Sequence, residues 1–306
     1  MKPTVYVIGG PTASGKSNLA VELAKRINGE IISADSMQIY KDMNIGTAKI
    51  TPEEMQGINH YLIDFVSPDE RYSVSSFKKD AEKAIEAILA KGKVPIIVGG
   101  TGLYIDSLIL GIEFQDEKIN TEYRESLNKI AEEQGLQKLY NMAQAIDPVA
   151  MKKISENDKK RIIRVLEIYH KTGKTKTEQE LESRKSEIKY NYKVFAITMD
   201  RQVLYEKIEK RVDKMIEQGL IDEVQGILNK YQKFPTAMQG LGYKEVVEYL
   251  ENKTTKEEMV EKIKKETRHY AKRQLTWFRK NKETIWIDGQ NLIQNNINII
   301  KENCFG

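Results

Sequence analysis

Gly10-Pro11-Thr12-Ala13-Ser14-Gly15-Lys16-Ser17 fits the pattern G-x-x-x-x-G-K-[ST] and follows directly on the apolar run Val5-Tyr6-Val7-Ile8. A glycine-rich turn placed between a β-run and an amphipathic helix is the setting in which this pattern acts as a P-loop, so it commits the chain to an α/β start. Backbone N–H groups converge there on phosphate oxygens, and the helix that begins near Lys16 adds the positive end of its dipole. Lys16 is expected at the terminal phosphate and Ser17 at Mg²⁺, with all eight residues around a diphosphate or nucleotide. The loop carries no information about what that phosphate is attached to.

Over the first third of the chain short β-rich runs alternate with helical patterns, the signature of a parallel sheet with crossover helices. Leu19, Ala20, Leu23, Ala24 and Ile27 recur at helical spacing, with Gly29 as the stop. Glu30 to Ser33 reads as a second strand, and Thr51-Pro52-Glu53-Glu54 as a capping box with proline at the first helical position. Tyr61-Leu62-Ile63 is a third strand, Ser76 to Lys91 a helix, and Val94 to Val98 a strand ending in Gly99-Gly100-Thr101-Gly102. Val194 to Ile197 and Thr284 to Ile287 complete the β-runs. Between about Phe114 and Tyr190 the strand signal disappears. The expected architecture is therefore α/β: a P-loop NTPase-like parallel sheet with flanking helices (1–113 and 191–306, including a helical block over about 202–282) and an inserted helical subdomain (114–190).

A single cysteine, Cys304, among 306 residues excludes an internal disulfide framework and fits a reducing compartment. No basic, apolar leader opens the sequence and no apolar run approaches the roughly 20 residues that span a bilayer. A cytoplasmic protein without membrane contact, monomeric, is the expectation. The net charge of +4 decides little, so its distribution matters. From Lys262 to Lys282 there are nine Lys or Arg and one acidic residue, Glu266. On a helix Lys265, Arg268, Lys272 and Arg279 form one stripe, opposite Val260, Ile263, Tyr270 and Phe278. Lys159-Lys160-Arg161 with Arg164 form a second basic group. Such runs are commonly solvated helix faces; two of them beside a P-loop favour nucleic-acid contact.

Ligands of doubly wound sheets bind beyond the carboxyl ends of the strands. Asp35, Thr101 and Asp64 stand there. Asp64 is either a metal carboxylate or a turn residue, whereas Asp35 leads the polar run Asp35-Ser36-Met37-Gln38 and has the better claim to chemistry. The base-reading motif N-K-x-D of GTPases is missing, since none of the Asn-Lys pairs, Asn252-Lys253-Thr254-Thr255 included, has the aspartate two residues on.

The P-loop, Ile32-Ser33-Ala34-Asp35-Ser36-Met37-Gln38-Ile39-Tyr40, Asn44-Ile45-Gly46-Thr47-Ala48-Lys49, His60-Tyr61-Leu62-Ile63-Asp64, Gly99-Gly100-Thr101-Gly102-Leu103-Tyr104 and Gly240-Leu241-Gly242-Tyr243-Lys244-Glu245 together resemble the bacterial tRNA dimethylallyltransferases, in order and over essentially the whole chain. The resemblance implies transfer of a dimethylallyl group from dimethylallyl diphosphate to N6 of adenosine 37 in tRNA, with Mg²⁺ as cofactor. It also implies that Asp35 is the general base and that Thr101 helps orient the reacting atoms. Asp35, Ser36, Met37, Gln38 and Thr101 would meet the extruded base. Arg124, Lys159, Lys160, Arg161, Ile162, Ile163 and the turn Gly240 to Glu245 would hold the anticodon arm. Arg161 and Arg164 fit either the tRNA or the diphosphate. Where the family often has His-His, this chain has His60-Tyr61. An adenylate isopentenyltransferase, a small-molecule P-loop kinase and an ATP-switched RNA-binding protein are the alternatives. A free mononucleotide needs no basic helical surface, which argues against the first.

Overall fold

Strand β1 (Thr4–Gly9) sends alternate side chains into two different cores. Val5 and Val7 join Phe77, Ile85 and Ile105, while Tyr6 and Ile8 join Leu19, Leu23 and Ile300. Burial on both faces is what an inner strand of a helix-covered parallel sheet requires. The computed structural model describes residues 2–114, 120–183 and 187–305, without the side chains of 304 and 305; Cys304 as a thiol thus lies outside the described residues. The chain continues through α1 (Lys16–Ile27), β2 (Gly29–Ser33), α2 (Pro52–Met55), β3 (His60–Tyr61), α3 (Val74–Ala90), β4 (Val94–Gly99) and α4 (Gly102–Ile109). Next come α5 (Thr121–Gln134), α6 (Leu136–Ile146), α7 (Pro148–Met151), α8 (Lys159–Thr172) and α9 (Lys176–Ser183). Then follow β5 (Asn191–Thr198), α10 (Arg201–Glu217), α11 (Leu220–Lys230), a short 3₁₀ turn at Ala237–Gln239, α12 (Tyr243–Leu250), α13 (Lys256–Phe278), β6 (Ile285–Asp288) and α14 (Ile293–Phe305).

The six strands lie in the order β3-β2-β4-β1-β5-β6, and every pairing is parallel. After β1 the chain passes over the place later taken by β4 to reach β2, and β5 returns on the other side of β1. That reversal is a topological switch point, and it sets the loops after β1, β4 and β2 side by side. Two local expectations need correction. Helix α1 is stopped by Asn28, in the left-handed conformation at φ 52°, and Gly29 already opens β2. Strand β3 is only two residues long, because Leu62 and Asp64 turn left-handed at φ 59° and 57°.

At the end of β2 remote from the loops, Glu30 is 1% exposed. Its carboxylate accepts hydrogen bonds from Asn59 (2.8 Å), Tyr61 (2.7 Å), Lys91 (3.1 Å) and Lys93 (2.8 Å). Burial pushes its pKa up, but the bonds from Lys93, Tyr61, Asn59 and Lys91 outweigh that and hold it at about 2. Tyr61, where the family pattern often has a second histidine, is thus a donor in this cluster.

By compactness the chain forms two units, 1–109 with 189–306, and 110–188. The second is all helical around Leu127, Leu139, Ala143, Ile162, Val165 and Leu166. Inside it Asp147 is 2% exposed and accepts from Ala150 and Thr177, which ties α7 to α9.

Candidate active site

The P-loop lies between Gly9 and α1. Gly15 takes φ 85° and Ala13 φ 62°, so the chain coils left-handed twice before the helix begins. No side chain caps α1 and no acidic residue sits in its first turn, which leaves its N–H groups and dipole directed at the loop. A cavity of about 840 Å³ opens here, lined by Thr12, Ala13, Gly15, Lys16 and Ser17 of the loop. Gly10, Pro11 and Ser14 are buried behind these lining residues. The Lys16 ammonium lies 3.3 Å from the carbonyl of Pro11. Burial lowers its pKa to about 8, against the opposing pull of the Asp35 charge and with the help of Arg211.

Asp35 lines the same cavity. Its Oδ1 accepts from the backbone N–H of Met37 at 2.9 Å and of Gln38 at 3.3 Å, an Asx-type turn that fixes the carboxylate at the end of β2. Gln38 also lines the cavity and donates to the carbonyls of Thr47 (3.1 Å) and Ala48 (3.3 Å). Thr101 is joined to this turn: its Oγ1 accepts from the N–H of Ser36 at 3.1 Å, and its own N–H donates to Ala34 at 3.2 Å. Ser36, Met37 and Thr101 do not line the cavity themselves.

Three contributors had no motif to announce them. Arg211 of α10 donates to Thr12 Oγ1 at 3.1 Å, and burial lowers its pKa while Asp35 and Glu54 raise it. Gln274 of α13 accepts from the N–H of Thr12 at 2.8 Å and donates to the carbonyl of Gly100 at 3.1 Å. Tyr270, assigned above to a packing face, instead lines the cavity. Burial and the Asp35 charge push its phenol up, so it stays protonated.

The remaining expected residues divide between surface and framework. Tyr243 is fully buried and donates to Glu223 at 2.6 Å, and the same carboxylate accepts from the N–H groups of Asn44, Ile45 and Gly46. Glu245, 1% exposed, caps α12 by accepting from Gly242. Gly240 and Gly242 are buried, Leu241 is half-buried, and Lys244 is exposed, 3.3 Å from Glu245. In the helical unit Lys160 and Arg161 are exposed and Lys159 half-buried. Ile162 and Ile163 belong to its core, so the expectation that they face RNA is corrected for their side chains. Arg124 forms a two-pronged ion pair with Glu167 at 2.6 and 2.7 Å. Asp64 pairs with Lys49 at 2.5 Å and does not line the cavity.

A P-loop at the switch point of a parallel sheet, with the carboxylates of Asp35 and Glu54 and the cations Lys16, Lys49, Arg211 and Lys214 around one cavity, defines a phosphate-handling P-loop enzyme. The chain belongs to the IPP transferase family, whose model matches residues 38–281, and is a prenyltransferase. It is 54% identical over 285 residues to a tRNA dimethylallyltransferase of Acetivibrio thermocellus, covering 93% of this chain and 91% of that one. Its identity to the tRNA dimethylallyltransferase of Carboxydothermus hydrogenoformans is 50% over 288 residues, 94% and 93% of the two chains. Among solved structures it resembles the tRNA isopentenylpyrophosphate transferase of Bacillus halodurans (TM-score 0.73, 40% identity, 99% and 96% covered). It also resembles a eukaryotic dimethylallyltransferase acting on tRNA (TM-score 0.80, 32% identity, 99% and 79% covered).

Proposed function

We propose that this chain transfers a dimethylallyl group from dimethylallyl diphosphate to N6 of adenosine 37 in tRNA, releasing diphosphate. The observation that carries the reading is that Lys16 and Asp35 line one cavity. In the transfer the allylic C–O bond breaks, the electron pair leaves with the diphosphate, and the N6–C bond forms. Lys16, Arg211 and the loop amides are aimed at the charge that develops on the departing oxygen. The exocyclic amine is a poor nucleophile because its lone pair is delocalised into the purine. Asp35 takes its proton, through the oxygen that carries no hydrogen bond among the described residues. Thr101 holds the Asp35 turn through Ser36 and so orients the base.

The donor set fits Mg²⁺. Ser17, an exposed hydroxyl on the first turn of α1, would hold it together with phosphate oxygens and water. When bound, it would neutralise charge on the leaving diphosphate. Ser36, Met37 and Gln38 meet the base, which is cheaper to extrude from a single-stranded loop than from a duplex. Arg124, Lys159, Lys160, Arg161 and Lys244 contact the anticodon arm, and the exposed cations of α13 attract its phosphates. The protein works as a cytoplasmic monomer; among the described residues no helix is long and apolar enough to cross a membrane.

Incubation with dimethylallyl diphosphate, Mg²⁺ and unmodified tRNA tests the reading, with a hydrophobic nucleoside and free diphosphate as expected products. Folded protein that yields neither, or that releases ADP from ATP in the presence of a small alcohol, would overturn it.

A further inference from the structure

A glutamine in the buried stripe of α13 needs a reason. Thr267, Ala271, Gln274 and Phe278 all face inward, and Gln274 is 4% exposed. A buried carboxamide is costly unless both of its ends are paired. Here the acceptor end takes the N–H of Thr12 in the loop after β1, and the donor end meets the carbonyl of Gly100 in the loop after β4. Gly100 makes room for it, since a Cβ there would lie 1.9 Å from Gln274 Nε2. One turn earlier Tyr270 lines the same cavity.

We propose that Gln274 is a positioning residue of the transfer, holding the phosphate loop in register with the Thr101–Asp35 side of the cavity. This rests on the function proposed above, because register matters to rate only if a group crosses from one loop's ligand to the other's. A displacement of about 1 Å between reacting groups can cost about 10²-fold in rate.

The test uses the full chain with Gln274→Met and Gln274→Glu. Readouts are kcat and KM for tRNA, thermal stability, and amide exchange at Thr12. Met keeps the volume and removes both bonds. It is expected to lower kcat by about 10- to 100-fold, to leave KM for tRNA within about twofold, and to speed exchange at Thr12. Ionised Glu accepts from Thr12 but cannot donate to Gly100, whereas protonated Glu does both. Activity of the Glu variant relative to wild type is therefore expected to rise as pH falls. A Met variant turning over within about twofold of wild type, or a Glu profile parallel to that of wild type, overturns the proposal. Should the Met variant fail to fold, the Glu profile decides alone. If the wild type itself transfers nothing, the functional reading falls, and the link is then judged by Thr12 exchange: unchanged protection in the Met variant overturns it as well.

Discussion

Asp35 uses one carboxylate oxygen to hold its own turn and keeps the other for chemistry. Asp35→Ala should lower turnover by at least about 10²-fold while tRNA affinity stays near wild type, as read by single-turnover kinetics and filter binding. Unchanged turnover would remove it from the base role. Lys16 gives a pH prediction. Its pKa of about 8 means that the free enzyme holds the ammonium below that pH and loses it above. The kcat/KM for the diphosphate donor, which reports free-enzyme groups, should therefore fall as pH rises through about 8. A flat profile from pH 7 to pH 10 would count against it. Residues inside local motifs, such as Lys16 and Asp35, were legible because a motif states its own geometry. Arg211 was not, since its partner Thr12 lies 199 positions away and nothing near Arg211 marks it. Gln274 did leave a trace: a polar residue at i+4 between Tyr270 and Phe278 on a packing stripe should be asked what it bonds.

At the scale of the element, α13 is a basic helix whose charges are only partly free. Lys262 pairs with Glu248, Lys264 with Asp213 at 2.8 Å, and Arg268 with Glu209 at 2.7 Å. Lys265, Lys272 and Arg279 are exposed. Lys272→Ala with Arg279→Ala should weaken tRNA binding regardless of sequence and reduce the slope of log affinity against log salt by about 1 to 2. An unaltered slope would mean a solvated face and nothing more. The helical period was readable from the sequence, and so was the stripe. Removing Arg268 from it required knowing that α10 packs alongside, because Glu209 is 59 residues distant. The shortness of β3 was hidden because Leu62 is apolar and nothing in its own propensity announces a left-handed turn.

For the whole molecule, alternating β-runs and helices were enough to read a parallel sheet, since that pattern has few other solutions. Strand order was not, because β4 enters between β2 and β1 only through tertiary pairing. Global stability should carry the signature of Glu30. Its folded-state pKa of about 2 lies below the ordinary 4.5, so its contribution is complete above the ordinary value and is lost as pH falls from there towards 2. The shift corresponds to about 3 kcal/mol. Glu30→Gln should lower the melting temperature at pH 7 and flatten the loss of stability over the acid range; an acid limb identical to that of wild type in calorimetry would refute the assignment.

Glu30 lies at the start of a single short strand, Gly29–Ser33, and Asp35 just past its end, about 16 Å apart at the usual rise per residue. Acid tolerance and reactivity are thereby anchored to opposite tips of one ribbon. A substitution at Glu30 is therefore expected to move acid stability more than turnover.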